Sequence, residues 1–390
     1  MLQTNFVSDE TNKPIYLDAA ATTPMEPRVL ELMLNLMSAE YGNAGSRTHT
    51  YGNDALRLVN RAREQISTSI GSTPDEVIFT SGATEANNLA ILGLESHGLD
   101  SNRRHIVATA IEHKAVLEPL EYLAARGFEV TLVRPSSLGR IDPQELAAHV
   151  REDTLLVSVM HGNNETGAIQ PVSEVAAQLP ENVFLHVDAA QTFGRETETL
   201  KDRRIDLISL SGHKIFGPKG VGSLVVRRRA GRRVPLAPLL YGGGQERGLR
   251  PGTLPTPLIA GFGLAAEIAE RDRFERRRIC AGVREQALEA LKPLKPTVHG
   301  ASGPVLPHIL SFAVSGVDSE AAIVACKDLI AVSNGSACTS SSYLPSHVLK
   351  AMALDDETIA GTVRMSWSHL TPPIPWVAVA ERFAELRIEI

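Results

Sequence analysis

Apolar and polar positions along this chain follow two periods. After Pro24 and Pro27, VLELMLNLMSAEYG carries apolar residues at helical spacing and predicts an amphipathic helix ending at Gly42. DALRLVNRAREQISTSIG repeats the spacing up to Gly71. From Glu76 onward, short and nearly continuous apolar runs take over: EVIFT, HIVAT, FEVTLV, LLVSVM, VFLHVD, DLISLS and GSLVV. Helical stretches such as SGATEANNLAILGL, VLEPLEYLAARG and PQELAAHV separate several of them. Runs without alternation suit strands buried on both faces, so the pattern predicts a mostly parallel seven-stranded sheet covered by helices.

Beyond residue 265 the texture changes. GFGLAAEIAERDRFERRRICAGVREQALEALKPL predicts one long helical spine, HILSFAV and VRMSW read as strands, and ERFAELRIEI closes the chain. The expected fold is therefore α/β: a large domain over residues 25–265 and a small α+β domain over 266–390. Residues 1–24, with a short strand at Ile15–Leu17, are expected to join the small domain.

Composition narrows the classes. Among 390 residues, Lys and Arg number 39 and Asp and Glu 45, a formal charge of -6 that weighs against direct nucleic-acid binding. The two basic clusters, RRRAGRR from Arg227 and RDRFERRR from Arg271, read as solvated faces. Cys280, Cys326 and Cys338 form no CxxC pair, which argues against a disulfide framework, a zinc site or an iron–sulfur ligand set. No apolar core near the start and no long apolar run are present, so the expectation is a cytoplasmic protein without a membrane span.

Candidate chemistry gathers after successive strands. In SGHKIFGPKG, Lys214 is either an exposed loop lysine or an amine held for Schiff-base formation. Asp188 in HVDAAQ is either a helix cap or the acidic partner of a pyridine nitrogen. Gly82, Ala83 and Thr84 open a helix after a strand, so they either permit close packing or cup a phosphate. His113 in EHK starts a helix or lies on a planar cofactor, and Asn164 and Gln191 could donate to a cofactor oxygen. Arg364 suits a substrate carboxylate as well as an ordinary ion pair. Five strand-end segments, each offering one piece of a pyridoxal phosphate site, weigh toward the catalytic reading of all of them. Cys338, in SNGSACTSSS, stands in a run of small polar residues that suits an exposed, reactive thiol, whereas Cys280 and Cys326 sit in apolar surroundings.

These motifs, with YLDAAATTP, HGNNETG and GGGQERGLRPGT, resemble those of the cysteine desulfurases, fold-type I pyridoxal-phosphate enzymes, over nearly the whole chain. The resemblance implies that Lys214 forms the Schiff base, His113 stacks on the ring, Asp188 keeps its nitrogen protonated and Gln191 meets its phenolic oxygen. It implies Asn164 near that oxygen and the substrate carboxylate. Thr84, Ser211 and His213, with the Gly82–Ala83 backbone, would hold phosphate. Thr253 would reach the phosphate of a second subunit, hence a homodimer; Arg364 would bind the carboxylate of L-cysteine, and Cys338 would carry the persulfide to an acceptor protein. Pro251 departs from the serine often found before that Gly-Thr pair. The Cys338 segment most resembles desulfurases that accompany DNA phosphorothioation. The alternatives are a selenocysteine lyase or aminotransferase of the same fold, and a non-catalytic sulfur-transfer scaffold. An aminotransferase has no need of Cys338.

Overall fold

The computed structural model describes residues 13–229, 231–300, 303–334 and 345–387. In chain order, β1 (Ile15–Tyr16), α1 (Pro27–Ala39) and α2 (Thr50–Ser69) lead to β2 (Val77–Thr80), α3 (Ala83–Leu92), α4 (Glu95–Asp100) and β3 (His105–Thr109). Then come α5 (Lys114–Ala124), β4 (Glu129–Val133), α6 (Pro143–Ala148), β5 (Thr154–Met160), α7 (Val172–Gln178), β6 (Phe184–Asp188), β7 (Leu207–Ser211) and β8 (Gly222–Val226). A two-residue hairpin pairs β9 (Arg228–Arg229) with β10 (Arg232–Arg233), and α8 (Thr256–Arg271) and α9 (Arg273–Leu291) follow. The last part holds β11 (Thr297–Val298), β12 (Ile309–Ala313), α10 (Ser319–Cys326), β13 (Ile330–Ala331), α11 (His347–Ala351), α12 (Asp356–Ala360), β14 (Thr362–Ser366) and α13 (Trp376–Glu385).

The expected seven-stranded sheet is present, in the order β2-β8-β7-β6-β5-β3-β4. Only β8 runs antiparallel to its two neighbours, so the other six strands end on one edge. One face packs Val107, Val157, Ile208 and Leu210 against Ile66, Phe193 and Phe262; the other packs Ile106, Leu156 and Leu207 against Leu89, Leu120 and Leu123. Burial on both faces is why these strands read as continuous apolar runs.

A separate core joins Leu17, Leu310, Phe312, Met365, Trp367, Trp376 and Phe383 around the sheet β11-β12-β14. The N-terminal strand reaches it by pairing parallel to β13, and Asp18 bridges to Ser366. The single long spine predicted after residue 265 is instead two helices divided at Asp272. The apolar α8 lies on α1 and α2, while the charged α9 meets α13. We propose Asp272 as the division between the two units, because α8 runs past residue 265 on the large core. The second helix also begins earlier than expected, at Thr50, where the His49 ring accepts from Gly52 N at 3.2 Å.

Arg227 corrects the reading of its cluster as a solvated face. It is 1% exposed, and its guanidinium donates to the carbonyls of Ile70 at 2.7 Å and Leu200 at 2.5 Å and to that of Asp202. Its neighbours Arg228 and Arg233 pair with Asp75, and Arg229 with Asp206.

Edge strand β2 is fixed by a buried ion pair. Glu246 accepts from both terminal nitrogens of Arg63 and from Phe79 N at 2.7 Å, and Arg63 lies 4.7 Å over the Phe79 ring. Glu246 and Arg247 both adopt left-handed backbone, at φ 48° and 59°, a strained arrangement that the pair holds in place. Replacing Glu246 with Gln leaves the Arg63 charge buried without its counter-ion. The expected loss is about 3 kcal/mol of stability, read as a lower midpoint in urea unfolding.

Candidate active site

The edge where six strands end holds a cavity of about 430 Å³. Gly82, Ala83 and Thr84 enter it after β2, His113 after β3, Asn164 after β5, Asp188 at the end of β6 with Gln191 beyond it, and Ser211 at the end of β7 with His213 and Lys214 beyond it. Arg364 reaches it from β14. The residues nominated from five separate segments therefore meet around one space. One nominated residue does not: Thr253 is exposed and outside this cavity; Cys338 lies outside the described residues.

Local geometry explains each placement. Gly82 caps α3, whose first turn presents backbone N–H groups to the cavity. Gly222 permits this approach, since a Cβ there would sit 2.7 Å from the Gly82 backbone. His113 caps α5 with Nδ1 accepting from Ala115 N at 3.1 Å, which leaves the proton on Nε2. Burial lowers its pKa and holds it neutral. Burial likewise drops His213 to about 4; its Nδ1 lies 3.1 Å from Thr22 Oγ1.

Asp188 is 5% exposed at the end of β6. Its Oδ2 accepts from Asn87 Nδ2 at 2.7 Å and its Oδ1 from Ala190 N at 2.9 Å. Lys214 Nζ donates to the carbonyls of Ala20 and, at 2.8 Å, Ala21. Gln191 Nε2 also donates to Ala20 O, at 2.8 Å. The YLDAAATTP segment thus forms a wall of the cavity. Arg364, 2% exposed, donates to Asp18 Oδ1 at 2.7 Å, Ser333 Oγ at 3.0 Å and Asn164 O at 2.9 Å.

The residues fit pyridoxal phosphate on independent grounds. Asn87 Oδ1, Gln191 Oε1 and Ser211 Oγ line this space and are buried with no partner among the described residues. Such atoms are costly unless a bound group meets them. The helix start, hydroxyls, carboxylate and amine together match one phosphate, one ring nitrogen and one aldehyde.

Asn87 was missed in the sequence because its partner, Asp188, lies 101 residues away. Its spacing of three from Thr84 on α3 was the available signal, since residues so spaced share a helix face. Glu112 was missed as well. Fully buried beneath the cavity, it accepts from Met160 N at 2.6 Å and Thr109 Oγ1 at 2.7 Å. Cys280 and Cys326 are buried, which pushes both thiols up to about 11 and accords with the inert reading.

Burial, reinforced by the charge of Asp188, pushes the Glu112 carboxyl up to about 8. The folded chain keeps that proton where the unfolded chain, with a value near 4.5, has lost it. Stability therefore falls as pH rises between these two values. Glu112→Gln removes the titration, so its melting temperature should gain on that of the native protein from about pH 5 to 8. Paired melting curves across that range check the sign.

The family model for class-V aminotransferases matches residues 15–372. Cysteine desulfurase IscS of Vibrio campbellii is 44% identical over 362 residues, covering 92% of this chain and 89% of that protein. The mitochondrial cysteine desulfurase of Arthroderma benhamiae is 43% identical over 389 residues, covering 98% and 76%. Among solved structures, a NifS-like protein superposes with TM-score 0.86 at 35% identity, over 96% of this chain and 98% of that one. DndA from Streptomyces lividans does so with TM-score 0.80 at 51% identity, over 90% and 99%. A match this long, on a chain whose strand ends converge on a fold-type I pyridoxal phosphate site, makes the protein a member of the cysteine desulfurases within the class-V aminotransferase family.

Proposed function

We propose that the chain converts L-cysteine to L-alanine and holds the released sulfur as a persulfide on Cys338 for delivery to an acceptor protein. The observation that carries this reading is the single cavity shared by Lys214, Asp188, Gln191, Ser211 and Arg364. Pyridoxal phosphate, when bound, supplies a Schiff-base carbon and an electron-withdrawing ring that acidifies the Cα proton of an amino acid.

The chain's own groups account for the rest. Asp188 balances a protonated ring nitrogen, and Asn87 fixes the orientation of its carboxylate through the 2.7 Å bond. The neutral His113 ring would lie against the cofactor ring without adding charge. The first turn of α3, with Thr84, Ser211 and His213, takes the phosphate. Gln191 keeps Oε1 and a second N–H for the phenolic oxygen, with Asn164 beside it. Arg364 turns its guanidinium to the cysteine carboxylate, and its bonds to Asp18 and Ser333 set its position. The Lys214 amine would take the Cα proton of the bound amino acid. The Cys338 thiolate attacks the sulfur of cysteine: an S–S bond forms, the Cβ–S bond breaks with its electron pair staying on carbon, and a proton returned there gives alanine.

The wider setting is also our reading. Thr253 is exposed, as a residue reaching a second subunit would be, and supports a homodimer. No helix among the described residues is long and apolar enough to cross a membrane, which supports action in the cytoplasm. The SNGSACTSSSYLPSHVL segment, with the 51% identity to DndA, favours an acceptor in DNA phosphorothioation.

Three variants test this. Cys338→Ala should keep the yellow cofactor absorbance and lose sulfide release and alanine formation from L-cysteine. Retained alanine formation would return the reading to a lyase that needs no acceptor thiol on Cys338. Lys214→Ala should lower turnover roughly 10²–10⁴-fold through loss of its proton transfer. Asn87→Ala should lower kcat/KM roughly tenfold, the worth of one hydrogen bond to a charged group.

A further inference from the structure

Directly after Lys214, Ile215 and Phe216 turn their side chains toward a second, smaller cavity of about 40 Å³. Its walls come from three parts of the molecule: the turn after β6, the start of α9, and the small unit around Pro307–His308 and Trp367–His369. Most of that lining is apolar, yet four arginines border it.

Three of these arginines carry a carboxylate. Arg276 pairs with Glu26 at 3.1 Å, Arg273 with Glu198 at 2.8 Å, and Arg277 with Glu196. Arg195 has none among the described residues. Its bond goes to the Gln191 carbonyl at 3.3 Å, and its guanidinium faces the Phe216 ring at 6.0 Å. The nearby Cys280 thiol stays protonated and supplies no counter-charge. Burial lowers the Arg195 guanidinium to about 10, which still leaves it cationic at neutral pH.

A second, independent observation is His308. It is 2% exposed, and its Nε2 has no partner among the described residues. Burial and the surrounding cations hold its pKa well below the ordinary value, so the ring is neutral and Nε2 can serve as an N–H donor. One unbalanced cation, one spare N–H and apolar walls of Ile215, Phe216 and Trp367 make a receptor for a single, weakly hydrated negative charge. The volume holds a small ion or a few waters.

We propose that this cavity is a binding site for a halide-class monoanion, held by Arg195 and the Nε2–H of His308. The ion balances the Arg195 charge and fastens the segment following Lys214 to the small unit. None of this rests on the desulfurase chemistry, so the two readings fail separately.

The test uses the purified holoenzyme in sodium gluconate, whose anion is too large for the cavity, titrated with sodium chloride or bromide at constant ionic strength. The melting temperature should rise saturably by roughly 2–4 °C with either halide. Crystals grown with bromide should show an anomalous peak between Arg195 and His308. In Arg195→Gln the halide-dependent rise should vanish, and in His308→Leu it should shrink. Superimposable melting curves in gluconate and halide, or the absence of bromide from this cavity, would overturn the proposal. Should Arg195→Gln fail to fold, the titration and the bromide map of the native protein decide it.

Discussion

A carboxylate is buried at the centre of this molecule with no cation bonded to it among the described residues. Asp188 has hydrogen bonds from Asn87 and Ala190, which orient the group but leave its charge unbalanced. An isolated buried charge is expensive, so the surroundings must answer it or a ligand must. That constraint organises the site. Asn87 can reach Asp188 because α3 starts where β2 ends, and β2 lies at that height because Glu246 and Arg63 hold it. The Ala20 carbonyl receives both Lys214 and Gln191, so the N-terminal segment forms one wall of the cavity. A protonated pyridine set against Asp188 would meet the unbalanced charge, and the orphan oxygens of Gln191 and Ser211 lie within the same space.

The strands of the sheet were legible because burial on both faces writes itself as unbroken apolar runs. The gathering of the segments after those strands around one cavity was legible because parallel strands deliver their C-terminal turns to one edge. What escaped were properties that depend on partners far along the chain. Arg227 looks like its neighbours in RRRAGRR, yet it is drawn inward by the carbonyls of Ile70 and Leu200. The α8–α9 break is hidden because Asp272 is compatible with a continuing helix; only the change of packing partner, from α1 and α2 to α13, turns the chain. Asn87 was visible as part of a motif, but its role needed Asp188 in place beside it.

Motif membership also says little about which residue acts, because neighbours in these segments divide the work. In EHK, His113 lines the cavity, while Glu112 faces inward and its backbone carbonyl accepts from His347 Nε2 at 2.9 Å. In NNETG, Asn164 lines the cavity. On one side of it, Asn163 accepts from Glu165 N and Thr166 N and donates to Ile111 O; on the other, Glu165 accepts from Ser346 Oγ at 2.5 Å. Ser346 in turn caps α11. Two residues beside cavity-facing side chains therefore anchor the helix that follows the segment of Cys338. A substitution at Glu165 would be read in an activity assay as catalytic loss, although its side chain is not among those lining the cavity. Separating these cases requires measuring fold stability beside turnover, since loss of an anchor moves both and loss of a cavity-facing group moves turnover alone.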